Sequence, residues 1–183
     1  MDNDAAVAAL QGYGCIHNMS PQRDRLRGYA AQCDHVTELG TGCGYSTLCF
    51  LSAGPKTLLS YDLHPFPRVE EFKIWAGTQT DFQHIQGDSL QIELAETDLL
   101  FIDTYHTYNQ LIQELERHHT KVRKFIIMDD TAGPWGERGE DGQRGLRYAV
   151  ENFVRGHEEW RVVECVTTDN GLTVLGRIVK DAG

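Results

Sequence analysis

The feature that most constrains this chain is residues 35–46, His-Val-Thr-Glu-Leu-Gly-Thr-Gly-Cys-Gly-Tyr-Ser. A short β-type run ends at Glu38 and Leu39. Gly40, Gly42 and Gly44 follow at every second position, and Tyr45 and Ser46 open a helical stretch. Strand, glycine turn and helix in that order form a nucleotide-type pocket. Glycine lets the backbone turn sharply and lets a ligand approach it, and the free N–H groups of the helix start face that ligand. A dinucleotide fingerprint would need glycine where Tyr45 stands, and a phosphate loop would need lysine before Ser46. What remains is an acid at a strand end followed by alternating glycines; a glycine-rich turn without a ligand is the alternative.

The remainder alternates strand and helix. Residues 1–34 carry an Ala-rich piece at 5–10, a Gly-Tyr-Gly break, and a helix capped by Ser20 with Pro21 at its first position, running to about Gln32. This segment precedes the first core strand and is expected to cover the ligand as a lid or to pack outside the fold; residues 35–183 form the main domain. Strands are expected at 56–62, 81–86, 97–103 and 124–129, and helices at about 68–76, 107–119 and 146–154. A hairpin, 160–168 with 172–177, turns at Asp169-Asn170-Gly171. His118 and His119 close the 107–119 helix, where a dipole role or plain solvation is expected before metal binding. Between the last of these strands and the last helix lies a loop rich in glycine and charge, residues 132–145. There Trp135 could wall an acceptor pocket. Glu137, Arg138, Glu140 and Asp141 could bind polyol hydroxyls, one another or a second subunit.

At 183 residues, the chain suffices for one domain with a three-layer core. A net charge of −10 disfavours nucleic acid and anionic membranes as partners. Five cysteines without C-x-x-C spacing, no basic leader and no apolar run of membrane length point to a reduced cytoplasm.

Six acids fall at or just beyond the expected strand ends: Glu38, Asp62, Asp88, Asp103, Asp129 and Asp130. In open α/β sheets ligands sit beyond those ends. Asp62, roughly 20 residues after the glycine turn, is placed to hold ribose hydroxyls. Asp103, Asp129 and Asp130 come from two strands that neighbour each other in a doubly wound sheet. Clustered carboxylates either raise one another's pKa or hold a hard cation such as Mg²⁺, Mn²⁺ or Ca²⁺. The plainer arrangement has one acid capping a helix and two exposed.

Glu38-x-Gly40-x-Gly42-x-Gly44 resembles the first motif of the class I S-adenosylmethionine-dependent methyltransferases. That resemblance implies a Rossmann-like α/β fold of three layers, its sheet seven-stranded and mostly parallel with an antiparallel C-terminal hairpin strand. It also implies a cofactor site at Glu38, Gly40, Thr41, Gly42, Gly44, Tyr45, Ser46, Asp62 and Asp103, with Asp88 and Ser89 on the adenine side, although Gly87-Asp88 also reads as an ordinary turn. Asp103-Thr-Tyr-His106 and Met128-Asp129-Asp130 are similar to the metal-site motifs of cation-dependent small-molecule O-methyltransferases such as the catechol enzymes. The pattern Phe-Ile-Asp-x-x-His-x-Tyr and the 132–145 loop are similar to the cephalosporin-hydroxylase-like and sugar O-methyltransferase branch. Carried over, the resemblance implies Asp103, Asp129 and Asp130 as ligands of Mg²⁺ (or Mn²⁺ or Ca²⁺), and Asp103 and His106 as the catalytic pair. His106 takes the proton-acceptor position, where the catechol enzymes carry lysine. Without a catalytic role, His106 would be a helix-start histidine satisfied by Asp103 or a backbone group.

The expected function is therefore methyl transfer from S-adenosylmethionine to a hydroxyl of a small sugar, polyol or phenol, assisted by a divalent cation. Metal-independent N- or C-methylation, or a non-catalytic module that binds the cofactor or its demethylated product, are the alternatives. A homodimer would complete a pocket whose N-terminal cover is short.

Overall fold

A computed structural model describes residues 22–178. Its elements are α1 (Arg23–Ala30), β1 (His35–Leu39), α2 (Tyr45–Leu51), β2 (Thr57–Asp62), α3 (Val69–Ala76), β3 (Asp81–Gln86), β4 (Thr97–Ile102), α4 (Tyr108–His118), β5 (Val122–Asp129), α5 (Gly133–Glu137), α6 (Leu146–Gly156), β6 (Trp160–Val166) and β7 (Leu172–Arg177). A single 3₁₀ turn, His119–Lys121, joins α4 to β5.

One seven-stranded sheet runs in the order β3-β2-β1-β4-β5-β7-β6. Strands β1 to β5 pair in parallel, β7 lies antiparallel to β5, and β6 pairs antiparallel to β7. This is the sheet expected from the sequence. Residue parity along the strands sorts the core into two clusters, one per face. Leu99, Phe101, Ile127 and Val174 pack with α1, α2 and α3, while Leu100, Ile102, Ile126, Met128 and Leu175 pack with α4 and α6. Every residue of β4 is buried, as a central strand covered on both faces requires. Phe50 of α2 meets Phe101 of β4 edge-on at 5.3 Å, a contact worth about 0.5–1.5 kcal/mol beyond the area it buries.

The N-terminal segment divides. Within residues 22–34, α1 packs on the sheet: it gives Leu26 and Ala30 to the core, and Arg25 and Tyr29 both bond to Glu164 of β6, each at 2.8 Å. Residues 1–21, with the Ser20 cap, lie outside the described residues.

Two other boundaries shift. β5 begins two residues early, at Val122, which is fully buried and pairs with Thr97 ahead of a register shift in the ladder. Residues 132–145 are not plain loop. They hold the short helix α5, with Pro134 near its start, and an isolated bridge between Arg138 and Arg144.

Candidate active site

The parallel strands end on one edge, and a cavity of about 460 Å³ lies beyond it. Its floor is the β1–α2 turn. Gly40 has φ 91°, and a Cβ there would sit 1.8 Å from the carbonyl oxygen of Asp103. No other residue fits that approach, which brings the turn against the end of β4. Gly42, Asp62, Asp88, Ser89 and Asp103 also line the cavity. Leu63 and Tyr105, both more than half exposed, add apolar walls. A cavity of this size, mostly apolar with a few polar groups, suits a ligand as large as a nucleoside derivative.

Asp62 ties the turn to β2. Its Oδ2 accepts the N–H groups of Thr41 and Gly42 at 3.0 and 3.1 Å, and its Oδ1 accepts that of His64 at 2.9 Å. Three donors occupy most of the acceptor capacity of a carboxylate, so a ribose would share Asp62 with the backbone.

Several residues expected at the cofactor point elsewhere. Glu38 is fully buried and lies outside the cavity lining. Its carboxylate accepts hydrogen bonds from Ser46 Oγ at 2.5 Å, Ser60 Oγ at 2.5 Å and Thr47 Oγ1 at 2.7 Å. Burial pushes its pKa up to about 7, against the pull of those hydroxyls. Ser46 is thereby committed to Glu38. Tyr45 packs in the core, and a Cβ on Gly44 would meet the Phe66 and Phe72 rings at 2.7 and 2.6 Å. Thr41 bonds Ser60 Oγ at 2.7 Å and His84 Nδ1 at 3.2 Å. This group fixes the shape of the turn from behind.

At the ends of β4 and β5 the acids do converge, but around a histidine. His106 Nε2 lies 3.0 Å from Asp130 Oδ2 and 3.4 Å from Asp103 Oδ1, and its Nδ1 lies 2.6 Å from Glu140 Oε1. Asp103, His106 and Asp130 each present one ligand atom within 4.8 Å of the others. Asp129, expected as the third metal ligand, is not one of this trio. It lies behind them, buried, and its Oδ1 has no hydrogen-bond partner among the described residues. Burial first, then the charges of Asp103 and Asp130, push its pKa up to about 8. Asp130 reaches His106 from a backbone in the left-handed region, φ 56°, a conformation that costs energy outside glycine and clusters at functional sites. Burial alone would lower the His106 pKa, but the hydrogen bonds and charges of Asp103 and Asp130 outweigh it and push it up to about 10. These neighbours favour the protonated imidazole. Asp103 belongs to both features, lining the cavity on one side and facing His106 on the other.

The sequence matches the methyltransferase domain family over residues 37–131, from the glycine turn through the carboxylate corner. The chain belongs to that family. The fold agrees: it is similar to an O-methyltransferase from Bacillus cereus in complex with S-adenosylhomocysteine (SAH), at TM-score 0.66 and 16% identity over 96% of this chain and 90% of that one. It is similar also to the 1,6-didemethyltoxoflavin-N1-methyltransferase of Burkholderia thailandensis, at TM-score 0.67 and 14% identity over 97% and 87%. An SAH-bound methyltransferase of Podospora anserina gives TM-score 0.62 and 16% identity over 96% and 88%. No protein of curated function matches the sequence. Family and fold together make this a class I S-adenosylmethionine-dependent methyltransferase.

In this methyltransferase the 132–145 segment clamps His106. Trp135 stacks on the imidazole at 5.7 Å and 17° between planes, and the Glu140 N–H donates to the His106 carbonyl at 2.9 Å. Its other charges turn inward on the segment and its neighbours. Arg138 donates to the Gly142 carbonyl, Asp141 accepts the Gln143 N–H, and Glu137 pairs with Arg147 at 2.8 Å.

Sequence reasoning missed Glu114 and Gln110. Glu114 is fully buried on α4 and accepts from Ser89 Oγ at 2.6 Å, Gln110 Nε2 at 2.8 Å and Thr104 Oγ1 at 2.9 Å. It fixes three residues of the cavity wall. An acid on the apolar stripe between Leu111 and Leu115 was the available signal. The histidines that end α4 are not solvated either: His118 Nε2 bonds the Ser89 carbonyl at 2.8 Å, and His119 is buried.

Proposed function

We propose that this methyltransferase moves the methyl group of S-adenosylmethionine to a hydroxyl of a small molecule, with a divalent cation at the carboxylate corner. The observation that carries this reading is the position of Asp103. One carboxylate forms the wall between a nucleoside-sized cavity and a cluster of acids around a histidine.

In this reading the turn at Gly40 and Gly42 lies under the methionine part of the cofactor, Asp62 meets the ribose, and Asp88 and Ser89 meet the adenine. Leu63 and Tyr105 supply apolar surface to the ring system. Asp103 sets the distance between donor and acceptor, and that positioning is a large part of the catalysis of an in-line displacement.

The corner fits a hard cation in its donor set, which is all oxygen apart from His106, and in the orphaned Oδ1 of Asp129. Asp103, Asp129 and Asp130 would hold the ion. When bound, it would lower the pKa of the acceptor hydroxyl and neutralise the carboxylates that hold the His106 proton. With its own proton released to solvent, His106 would accept the hydroxyl proton at Nε2, while Glu140 and Trp135 fix its ring.

Release of SAH from S-adenosylmethionine, measured over a panel of phenols, sugars, polyols and amines with Mg²⁺ or with EDTA, tests this reading. Turnover on a hydroxylated acceptor that EDTA abolishes is the expected result. Metal-independent turnover on an amine would overturn it.

A further inference from the structure

A second cluster of ligating side chains lies at the far end of α4, away from the cavity. Its members are Glu116 of α4, His119 of the 3₁₀ turn, and His157 and Glu159 of the α6–β6 connection. Helix α4 starts beside the carboxylate corner and runs 11 residues, so its end lies roughly 16 Å away at 1.5 Å per residue.

Glu116, His119 and His157 each present one ligand atom within 4.8 Å of the others. His157 Nε2 lies 3.1 Å from both carboxylate oxygens of Glu116. Its Nδ1 lies 3.5 Å from Glu159 Oε1. The imidazoles of His119 and His157 approach to 4.3 Å between centroids, and both pack on the buried ring of Phe153.

His119 is the anomaly. It is 8% exposed, and its Nδ1 has no hydrogen-bond partner among the described residues, although Glu159 Oε1 is only 3.4 Å off. A buried ring nitrogen beside two carboxylates and a second imidazole, yet unpaired, is costly as it stands. A cation there would satisfy it.

We propose that Glu116, His119 Nδ1 and His157 Nε2 form a second metal site, for a zinc-type ion, that clips the end of α4 to the start of β6. Two imidazoles with one carboxylate suit Zn²⁺ and its neighbours in the first transition row, whereas Mg²⁺ and Ca²⁺ favour all-oxygen sets. Glu159 lies beside the site, its Oε1 3.4 Å from His119 Nδ1 and 3.5 Å from His157 Nδ1. With the ion on His157 Nε2 it would accept the Nδ1–H of His157, the carboxylate–histidine–metal relay common to such sites. The ion joins segments about forty residues apart and is independent of the cation proposed for catalysis.

Co²⁺ titration of the metal-free chain, read by visible absorption, and Zn²⁺ competition against it test the proposal. The expected result is one tightly bound equivalent with the strong visible band of a low-coordinate cobalt site, kept in Asp130→Asn and lost in His157→Gln. Glu159→Gln should weaken zinc by about 10- to 100-fold. Because His119 is buried, the exposed Glu116→Gln serves as the second ligand variant and should lose the band while the chain stays folded. A band that survives His157→Gln but disappears in Asp130→Asn would overturn the proposal, as would the absence of any bound equivalent.

Discussion

Two groups of acids sit on the same edge of the sheet and differ in how they are satisfied. Behind the glycine turn, Glu38 has three hydroxyl donors within 2.7 Å. At the ends of β4 and β5, Asp103 and Asp130 share one imidazole, and Asp129 Oδ1 has no hydrogen-bond partner among the described residues. The first group is complete within the fold and holds a shape. The second is incomplete, and its unmet charge calls for a proton or a cation. A carboxylate at a strand end is therefore not by itself a functional acid; its remaining hydrogen-bond capacity decides.

Substitutions at the two groups should separate accordingly. The largest effect belongs to His106→Gln, which should lower turnover by about 10²- to 10⁴-fold while calorimetry shows S-adenosylmethionine binding unchanged. Glu38→Ala leaves three hydroxyls unpaired and a void, so urea unfolding should show a loss of about 3 kcal/mol. If that variant kept its stability and lost only activity, the contrast would fail.

Glu38 also makes stability depend on pH. Its folded pKa is raised to about 7 from the ordinary 4.5, so folding favours the protonated form. The resulting contribution is fully present below pH 4.5 and is lost as pH rises through about 7. Unfolding free energy should fall across that window in the wild type and fall less in Glu38→Gln. A slope unchanged in Glu38→Gln would place the buried proton elsewhere.

Smaller effects complete the contrast. Asp129→Asn removes the cost of ionising a buried carboxyl beside Asp103 and Asp130, so above about pH 8 it should raise the stability of the metal-free protein by about 1 kcal/mol, read as a higher melting temperature. Glu140→Gln loosens the clamp on His106 through a partly exposed pair, worth about 0.2–1 kcal/mol. The acceptor KM should therefore rise less than about tenfold.

The sequence showed the fold well, because strands β1 to β5 are bounded by acids and turns and their helices carry clear periodicity. The site was legible in part. Strand-end position placed Asp62, Asp88 and Asp103 on the cavity, and Gly40 there followed from the turn. Position alone did not tell that Glu38 and Ser46 face each other eight residues apart, since helix α2 folds back over β1. For the set Asp103, Asp129 and Asp130, strand-end position gave the neighbourhood but not the direction of each carboxylate. Alternation in β5 turns Asp129 inward, while the left-handed backbone of Asp130 swings its carboxylate to His106. For His118 and His119 the sequence pointed to a dipole role or plain solvation, because their partners, the Ser89 carbonyl and residues 157–159, lie far along the chain.

The central claim is that the cofactor cavity adjoins a cation site at the corner shared by Asp103 and Asp130. Calorimetric titration with S-adenosylmethionine and then with Mg²⁺, on wild type and Asp130→Asn, tests it most directly. The expected result is cofactor binding in both proteins and a separate Mg²⁺ isotherm in the wild type that disappears in the variant. Cofactor binding with the same Mg²⁺ response in both, or with none in either, would contradict the claim.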